Sequence, residues 1–188
     1  NRIEWSAIKD LVGLDTMISL YSRSDLICML NWSELDNSTA IWKGLLTDIL
    51  NRLPQNNKQP IGFFDFSDCS KRTVGNISEA INLLKSFSEY WHVVLSLNLN
   101  EATIVNSVLT GSSNETNVEK IGASLYDTLQ ISGVIIHYSQ KALYWDASGF
   151  HHRESFYIPN PTLSTGAGDN FNAGFCAGML MDLDADTC

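Results

Sequence analysis

Apolar positions along the chain alternate between two periods. Short runs rich in β-branched and aromatic residues lie at Leu26 to Leu30, Ile61 to Phe66, His92 to Leu97 and Gly133 to Tyr138. They are nearly continuously apolar, the pattern of strands covered on both faces. Weaker runs follow at Ala142 to Asp146 and Ser155 to Ile158. With Asp146-Ala147-Ser148-Gly149 as a turn, they predict a small antiparallel excursion between Ala142 and Pro161. Between the strong runs the period becomes helical. Ile77, Ile81, Leu84, Phe87 and Trp91 share one face, and Asn76 with Glu79 has capping-box spacing at its start. Val118, Ile121, Leu125 and Leu129 share another face. Further helices are expected over Glu4 to Tyr21, Ala40 to Leu53 and Gly168 to Met181. Strand and helix repeated in this order predict an α/β fold with a mainly parallel sheet. The stretches Pro54 to Pro60 and Gly111 to Asn114 read as short connections, so residues 1–188 are expected to form a single α/β domain.

Composition narrows the function. At 188 residues with 44% hydrophobic and 10% aromatic side chains, the chain can bury a core, which excludes disorder. Twelve basic against 21 acidic residues leave a formal charge of −9, so a nucleic-acid partner is not expected. An acidic chain can still hold a phosphate in a local site built from backbone amides or a metal. Cys28, Cys69, Cys176 and Cys188 are scattered without a CxxC pair, which reads as reduced, cytoplasmic thiols. The longest nearly apolar run, Phe171 to Met181, contains Asn172 and is too short for a bilayer, so no membrane partner is expected. Asn1 to Trp5 show no signal-peptide pattern. The Asn-x-Ser/Thr sites at Asn31, Asn37, Asn76 and Asn114 are therefore read as chance. The start at Asn1 and the stop at Cys188 within a helical pattern read as a piece of something longer.

The most informative stretch runs from Ser164 to Phe175. Here Gly166-Ala167-Gly168 leads straight into an apolar helix. Such a loop lets consecutive backbone N–H groups converge, and the helix dipole adds positive potential, which makes an anion hole. Asp169 falls in the first turn, where a carboxylate is favoured. A base beside an anion hole suits phosphoryl transfer to an alcohol, because one group takes the hydroxyl proton while the amides hold the transferring charge. Taken alone, Gly-x-Gly-Asp equally describes a tight turn with an acidic helix start. Gly174 and Gly178 suggest close packing of this helix on the sheet, since each costs a helix ~1 kcal/mol relative to Ala.

Thr165-Gly166-Ala167-Gly168-Asp169-Asn170-Phe171-Asn172-Ala173-Gly174-Phe175 resembles the second signature of the PfkB (ribokinase-like) carbohydrate kinases. The resemblance implies that Asp169 is the catalytic base and that Gly166, Ala167 and Gly168 form the anion hole. Upstream, Leu97-Asn98-Leu99-Asn100-Glu101-Ala102 resembles the family's Asn-x-x-Glu motif. That implies cofactor-binding roles for Asn98 and Glu101, with Glu101 holding Mg²⁺ through water. Read without the family, Asn98 to Glu101 is a helix start with Asn100 as cap. The resemblance further implies a three-layer α/β/α fold and ATP with Mg²⁺ as cofactors. It implies a small-molecule sugar as acceptor and a homodimer formed through a lid region that is absent here. The segment Phe63 to Asp68 is similar to a family strand ending in an aspartate; its charged residues Asp65, Asp68, Lys71 and Arg72 read as solvated.

Where relatives carry Thr-x-Gly-x-x-Gly, this chain has His137-Tyr138-Ser139-Gln140-Lys141-Ala142, with Ser139 in a cofactor-binding place. Leu163 replaces an aspartate common in relatives. The family's N-terminal region and last helices have no counterpart, so residues 1–188 alone are expected to be inactive. The leading reading is an ATP-dependent kinase for a hydroxyl of a sugar or sugar-like alcohol. The second is a non-catalytic binding or regulatory relative with a drifted nucleotide site. A P-loop is excluded because no Gly-Lys-Ser/Thr occurs, and Phe171 stands where a dinucleotide fingerprint needs its third glycine. His151 and His152, adjacent in an extended segment, point to opposite faces and do not chelate. Trp32, Trp42, Trp91 and Trp145 read as core or sheet-edge packing, not a stacking platform.

Overall fold

The computed structural model describes residues 3–54, 59–156, 158–163 and 165–188. Residues 1–2 at the start, 55–58 within the Pro54 to Pro60 connection, Tyr157 and Ser164 lie outside them. The chain forms two compact units, Asn1–Val93 and Val94–Cys188. Both are built from strands and helices.

In the first unit, the continuous helix expected over Glu4 to Tyr21 is two: α1 (Trp5–Val12) and α2 (Leu14–Tyr21). Gly13 between them has φ 83° and ψ 140°, a backbone that L side chains avoid and glycine allows. Strand β1 (Leu26–Met29) pairs in parallel with β2 (Ile61–Asp65), from Leu26 opposite Ile61 to Met29 opposite Phe64. Helix α3 (Ser38–Asp48) begins earlier than expected and gives way to a short 3₁₀ turn, Leu50–Arg52. Asp48 at its end accepts hydrogen bonds from Trp5 Nε1 and Lys9 Nζ, both at 2.8 Å, which ties α1 to α3.

Helix α4 (Val74–Phe87) is capped not by Asn76 with Glu79 but one turn earlier, by Thr73 with Asn76. Thr73 Oγ1 accepts from Asn76 N at 3.2 Å, and Glu79 instead pairs with Lys43. The core is aromatic: Trp32, Trp42, Phe64, Phe66, Phe87 and Trp91 are buried, with Phe87 and Trp91 stacked at 4.9 Å. Arg72 departs from its solvated reading. It donates to the carbonyls of Ser33 and Trp32, both at 3.1 Å, and lies over the Trp32 ring, so it fixes that turn. Asp65 accepts from Ser67 N, Asp68 from Ser70 N, and Lys71 pairs with Glu34.

In the second unit, β3 (His92–Asn98) runs parallel to β4 (Gly133–His137), in register from Val94 opposite Gly133 to Asn98 opposite His137. Helices α5 (Leu99–Thr110) and α6 (Val118–Leu129) connect them. Strand β5 (Lys141–Asp146) is antiparallel to β4, and β6 (Gly149–Glu154) is antiparallel to β5. The last strand therefore lies earlier than Ser155 to Ile158, of which Tyr157 falls outside the described residues. The turn explains the shift. Asp146 Oδ1 accepts from Ser148 N at 2.8 Å and Gly149 N at 3.2 Å, so pairing resumes at once. Phe150 and His152 stack on one face of β6, while His151 faces Tyr144 on the other. Helix α7 (Ala167–Leu180) follows. Its packing on the sheet is not through Gly174 or Gly178: a Cβ on Gly174 would meet open space, and one on Gly178 would meet Cys188. Phe175 instead packs edge-on against Tyr144 at 5.1 Å. No helix among the described residues is long and apolar enough to cross a membrane.

Candidate active site

Both motifs singled out in the sequence lie in the second unit, each at the start of a helix. Asn98 ends β3 and is itself the cap of α5, which replaces the reading of Asn100 as cap. Its Oδ1 accepts from Glu101 N at 3.0 Å. Glu101 reaches back, accepting from Asn98 N at 2.9 Å and Asn98 Nδ2 at 2.5 Å. This reciprocal box satisfies donors that a helix start leaves unpaired. It also buries the Glu101 carboxylate, which is only 5% exposed.

Helix α7 begins differently. Its cap is Gly166, in a left-handed conformation with φ 83° and ψ 2°, and among the described residues no side chain caps it. The Gly166 carbonyl accepts from Asn170 N and from Asn170 Nδ2, at 3.0 and 2.9 Å. The amides of Ala167, Gly168 and Asp169 belong to the first turn, whose N–H groups have no intrahelical acceptor. They carry the positive end of the helix dipole. Asp169 is exposed in that turn.

Asn98 lies opposite His137 across the β3–β4 pair, and neighbouring strands are about 4.8 Å apart. The His137 ring packs on Phe171 of α7 with centroids 4.9 Å apart. Its Cε1 is 3.3 Å from the place where a Cβ on Gly168 would sit, so a side chain there would crowd the ring. Ser96 in β3 donates to Asn172 Oδ1 in α7 at 2.7 Å, a buried bond between the two elements. Asn98, Glu101 and the Gly166–Asp169 turn thus gather at the C-terminal edge of β3 and β4, with His137 between them. That edge is where open α/β sheets bind ligands. Ser139 is exposed in the turn after β4, with its carbonyl accepting from Ser155 Oγ at 2.5 Å. Leu163 is 77% exposed.

Ser96, Asn172 and the His137–Phe171 contact were not singled out from sequence as parts of this arrangement. The one available signal was a polar Asn172 inside an apolar run. Chemically, the edge offers amides for an anion, an exposed carboxylate beside them and a buried carboxylate opposite. Among the described residues no group of three His, Cys, Asp or Glu side chains could hold a metal ion. Glu101 accepts two bonds from Asn98, and a single carboxylate at this edge suits a Mg²⁺ ion that keeps its waters and takes phosphate oxygens, not an all-protein cage.

This frame is that of the ribokinase-like kinases. Adenosine kinase from Schistosoma mansoni in complex with tubercidin superposes with a TM-score of 0.65 at 19% identity, over 98% of this chain and 51% of that one. An E. coli protein assigned as ribokinase II, in complex with ATP and Mg²⁺, gives 0.61 at 19% identity, over 89% and 49%. Within that fold the sequence is more specific. The prokaryotic ketohexokinase family matches residues 1–188, and the chain belongs to it. The ketohexokinase of Haloferax volcanii is 25% identical over 181 residues, 96% of this chain and 47% of that protein. The chain therefore spans about half the length of the curated relative it matches.

Proposed function

We propose that residues 1–188 are the phosphate-handling part of a single ribokinase-like kinase domain, one that transfers a phosphoryl group from ATP to a hydroxyl of a sugar or sugar-like alcohol. The family match makes a ketohexose the first acceptor to try. The observation that carries the reading is the α7 start, bare of side-chain caps among the described residues, facing the Asn98–Glu101 box across His137. Asp169 accepts the acceptor hydroxyl's proton, and the amides of the Gly166-Ala167-Gly168 turn hold charge on the group in transfer. Asn98 and Glu101 orient waters around the phosphates, and Ser139 lies on the nucleotide side of the edge. Bound ATP and Mg²⁺ supply the phosphoryl group and neutralise its charge. On this reading the enzyme works in the cytoplasm on soluble substrates.

The side chains at Ser139 and Ala142, where close backbone approach favours glycine, support a second reading as a non-catalytic relative. One experiment separates the two. ADP release by the natural full-length protein is measured with MgATP against ketohexoses, aldohexoses, pentoses and nucleosides. Sugar-dependent turnover that falls by ~10²–10⁴ in Asp169→Asn, with MgATP binding retained, is the expected result. Near-normal turnover in Asp169→Asn removes it from the base role. MgATP binding without turnover on any acceptor favours the non-catalytic reading.

A further inference from the structure

We infer that Ser96 is a positioning residue: its bond to Asn172 sets the height of the α7 first turn against the Asn98–Glu101 box. This deepens the reading above and rests on it. Ser96 lies in the middle of β3, fully buried between Leu95 and Leu97, which are buried to the same degree. Its Oγ donates to Asn172 Oδ1 at 2.7 Å. An apolar pair of the same shape in these two places would cost the fold little, because a buried hydrogen bond is worth little net of the water it replaces. Apolar packing, however, is non-directional and lets a helix slide along a strand. The hydrogen bond does not, since about 1 Å of travel breaks it.

The bond falls where a fixed height matters. Side chains alternate along a strand, so Asn98 has its place on the same face of β3 as Ser96, about 6.6 Å nearer the edge. On α7, Asp169 and Gly168 stand three and four positions before Asn172, on one helix face with it. At about 1.5 Å per residue, the step from Asn172 to Gly168 is about 6 Å. The two steps nearly match, so a helix pinned at Ser96 brings the anion turn level with Asn98. An independent contact puts it at the same level: the Cβ place of Gly168 is 3.3 Å from Cε1 of His137, the residue opposite Asn98. Among the described residues no side chain caps α7, so its first turn takes its height from the body of the helix. Loss of the Ser96 donor frees α7 to shift along β3, and the amides of the Gly166-Ala167-Gly168 turn shift with it.

The test uses the full-length protein with Ser96→Ala, which removes the donor, and Ser96→Cys, which keeps a weak one in similar space. Ser38→Ala is the control. Ser38 is also buried, and its Oγ donates to the carbonyls of Trp32 at 2.6 Å and Leu35 at 2.8 Å in the first unit. Three quantities are measured for each: turnover with MgATP and the best acceptor of the panel above, urea unfolding, and hydrogen exchange over residues 166–175. Misplacing reacting groups by about 1 Å can cost ~10²-fold in rate. Ser96→Ala should therefore lower kcat about tenfold or more, with KM for the acceptor within about twofold, because Ser96 touches no substrate. Exchange over residues 166–175 should speed up, and Ser96→Cys should recover part of both effects. Ser38→Ala should lose stability to a similar extent and keep kcat within about twofold, with exchange over residues 166–175 unchanged. A near-wild-type kcat in Ser96→Ala overturns the assignment. So does an equal loss of kcat in Ser38→Ala, which would tie turnover to stability alone. Unchanged exchange over residues 166–175 in Ser96→Ala overturns it as well. If no acceptor turns over in the wild type, the kinase reading itself falls, and the exchange still decides whether Ser96 holds the turn.

Discussion

Gly166 and Gly111 form an internal experiment. Gly166 caps α7 with φ 83° and ψ 2°, and Gly111 closes α5 with φ 70° and ψ 9°. Among the described residues, a Cβ on Gly111 would meet nothing within 4 Å, and one on Gly166 would meet Asn170 Nδ2 and Asp169 Oδ2, both at 4.0 Å. Steric clash with neighbours therefore contributes little at either site. What remains is the left-handed backbone, which costs an L residue about 1–2 kcal/mol. Replacing Gly by Ala also stiffens the unfolded chain, which offsets ~0.4–1 kcal/mol of that. Gly166→Ala and Gly111→Ala should each lose about 1 kcal/mol in urea unfolding of the full-length protein, roughly a fivefold change in the folded-to-unfolded ratio. Their activities should differ. Relaxation at Gly166 swings the first-turn amides, so turnover should fall about tenfold or more, as for loss of one oxyanion donor. Gly111→Ala should keep turnover within about twofold, since surface changes remote from a site rarely matter. Gly166→Asn should recover part of the stability, because Asn tolerates this conformation. Equal losses of turnover in the two Ala variants would refute the argument that the α7 cap orients the anion turn. An unchanged stability in Gly166→Ala would refute the backbone conformation itself.

Asn98→Ala removes the acceptor for Glu101 N and the Nδ2 donor to Glu101 Oε1, and leaves the bond from the residue 98 backbone N–H. Urea unfolding should therefore show a loss of about 1–2 kcal/mol. Asn98→Asp, which keeps the acceptor but sets a second carboxylate against buried Glu101, should not recover it. An Ala variant as stable as wild type would show that the box is dispensable. In the first unit, the hydrogen bonds from Lys9 and Trp5 hold the Asp48 carboxyl at about 2, below its usual 3.8. A depressed carboxyl contributes stability that is present above pH ~4 and lost as pH falls toward ~2. Asp48→Asn should thus flatten the acid limb of a pH–stability curve between these limits, and an unchanged limb would show that this triad does not report on acid unfolding.

The strands were legible in the sequence because strands buried on both faces write themselves as unbroken apolar runs. Ile61 to Phe66 and Gly133 to Tyr138 needed no tertiary knowledge to locate. Helix starts were less legible. Asn76 with Glu79 fits the capping-box template, yet Thr73 with Asn76 makes the box, because Asn supplies the returning acceptor as well as Glu does. The β5–β6 hairpin was found but its second strand misplaced, since Asp146 holds the turn tighter than strand composition suggests. The two motifs at the site are local patterns and could be read directly. Their meeting could not, because it depends on Asn98 lying opposite His137 and on a Ser96–Asn172 bond between residues 76 positions apart. Gly174 and Gly178 misled for a related reason: a small residue implies a close neighbour without naming it, and for Gly178 that neighbour is Cys188.

The Ser96–Asn172 bond also governs where this chain can change its length. Adding one residue to a helix turns everything beyond it by about 100°. A single insertion between Gly166 and Asn172 would carry the Asn172 amide off Ser96 and rotate the packing face of Phe175 away from Tyr144, with Asp169 displaced relative to the β3 edge. An insertion between Glu154 and Leu163, ahead of the turn, imposes no such rotation. Natural variants of this chain should therefore differ in length freely before the glycine turn and hardly at all within the seven positions from Gly166 to Asn172.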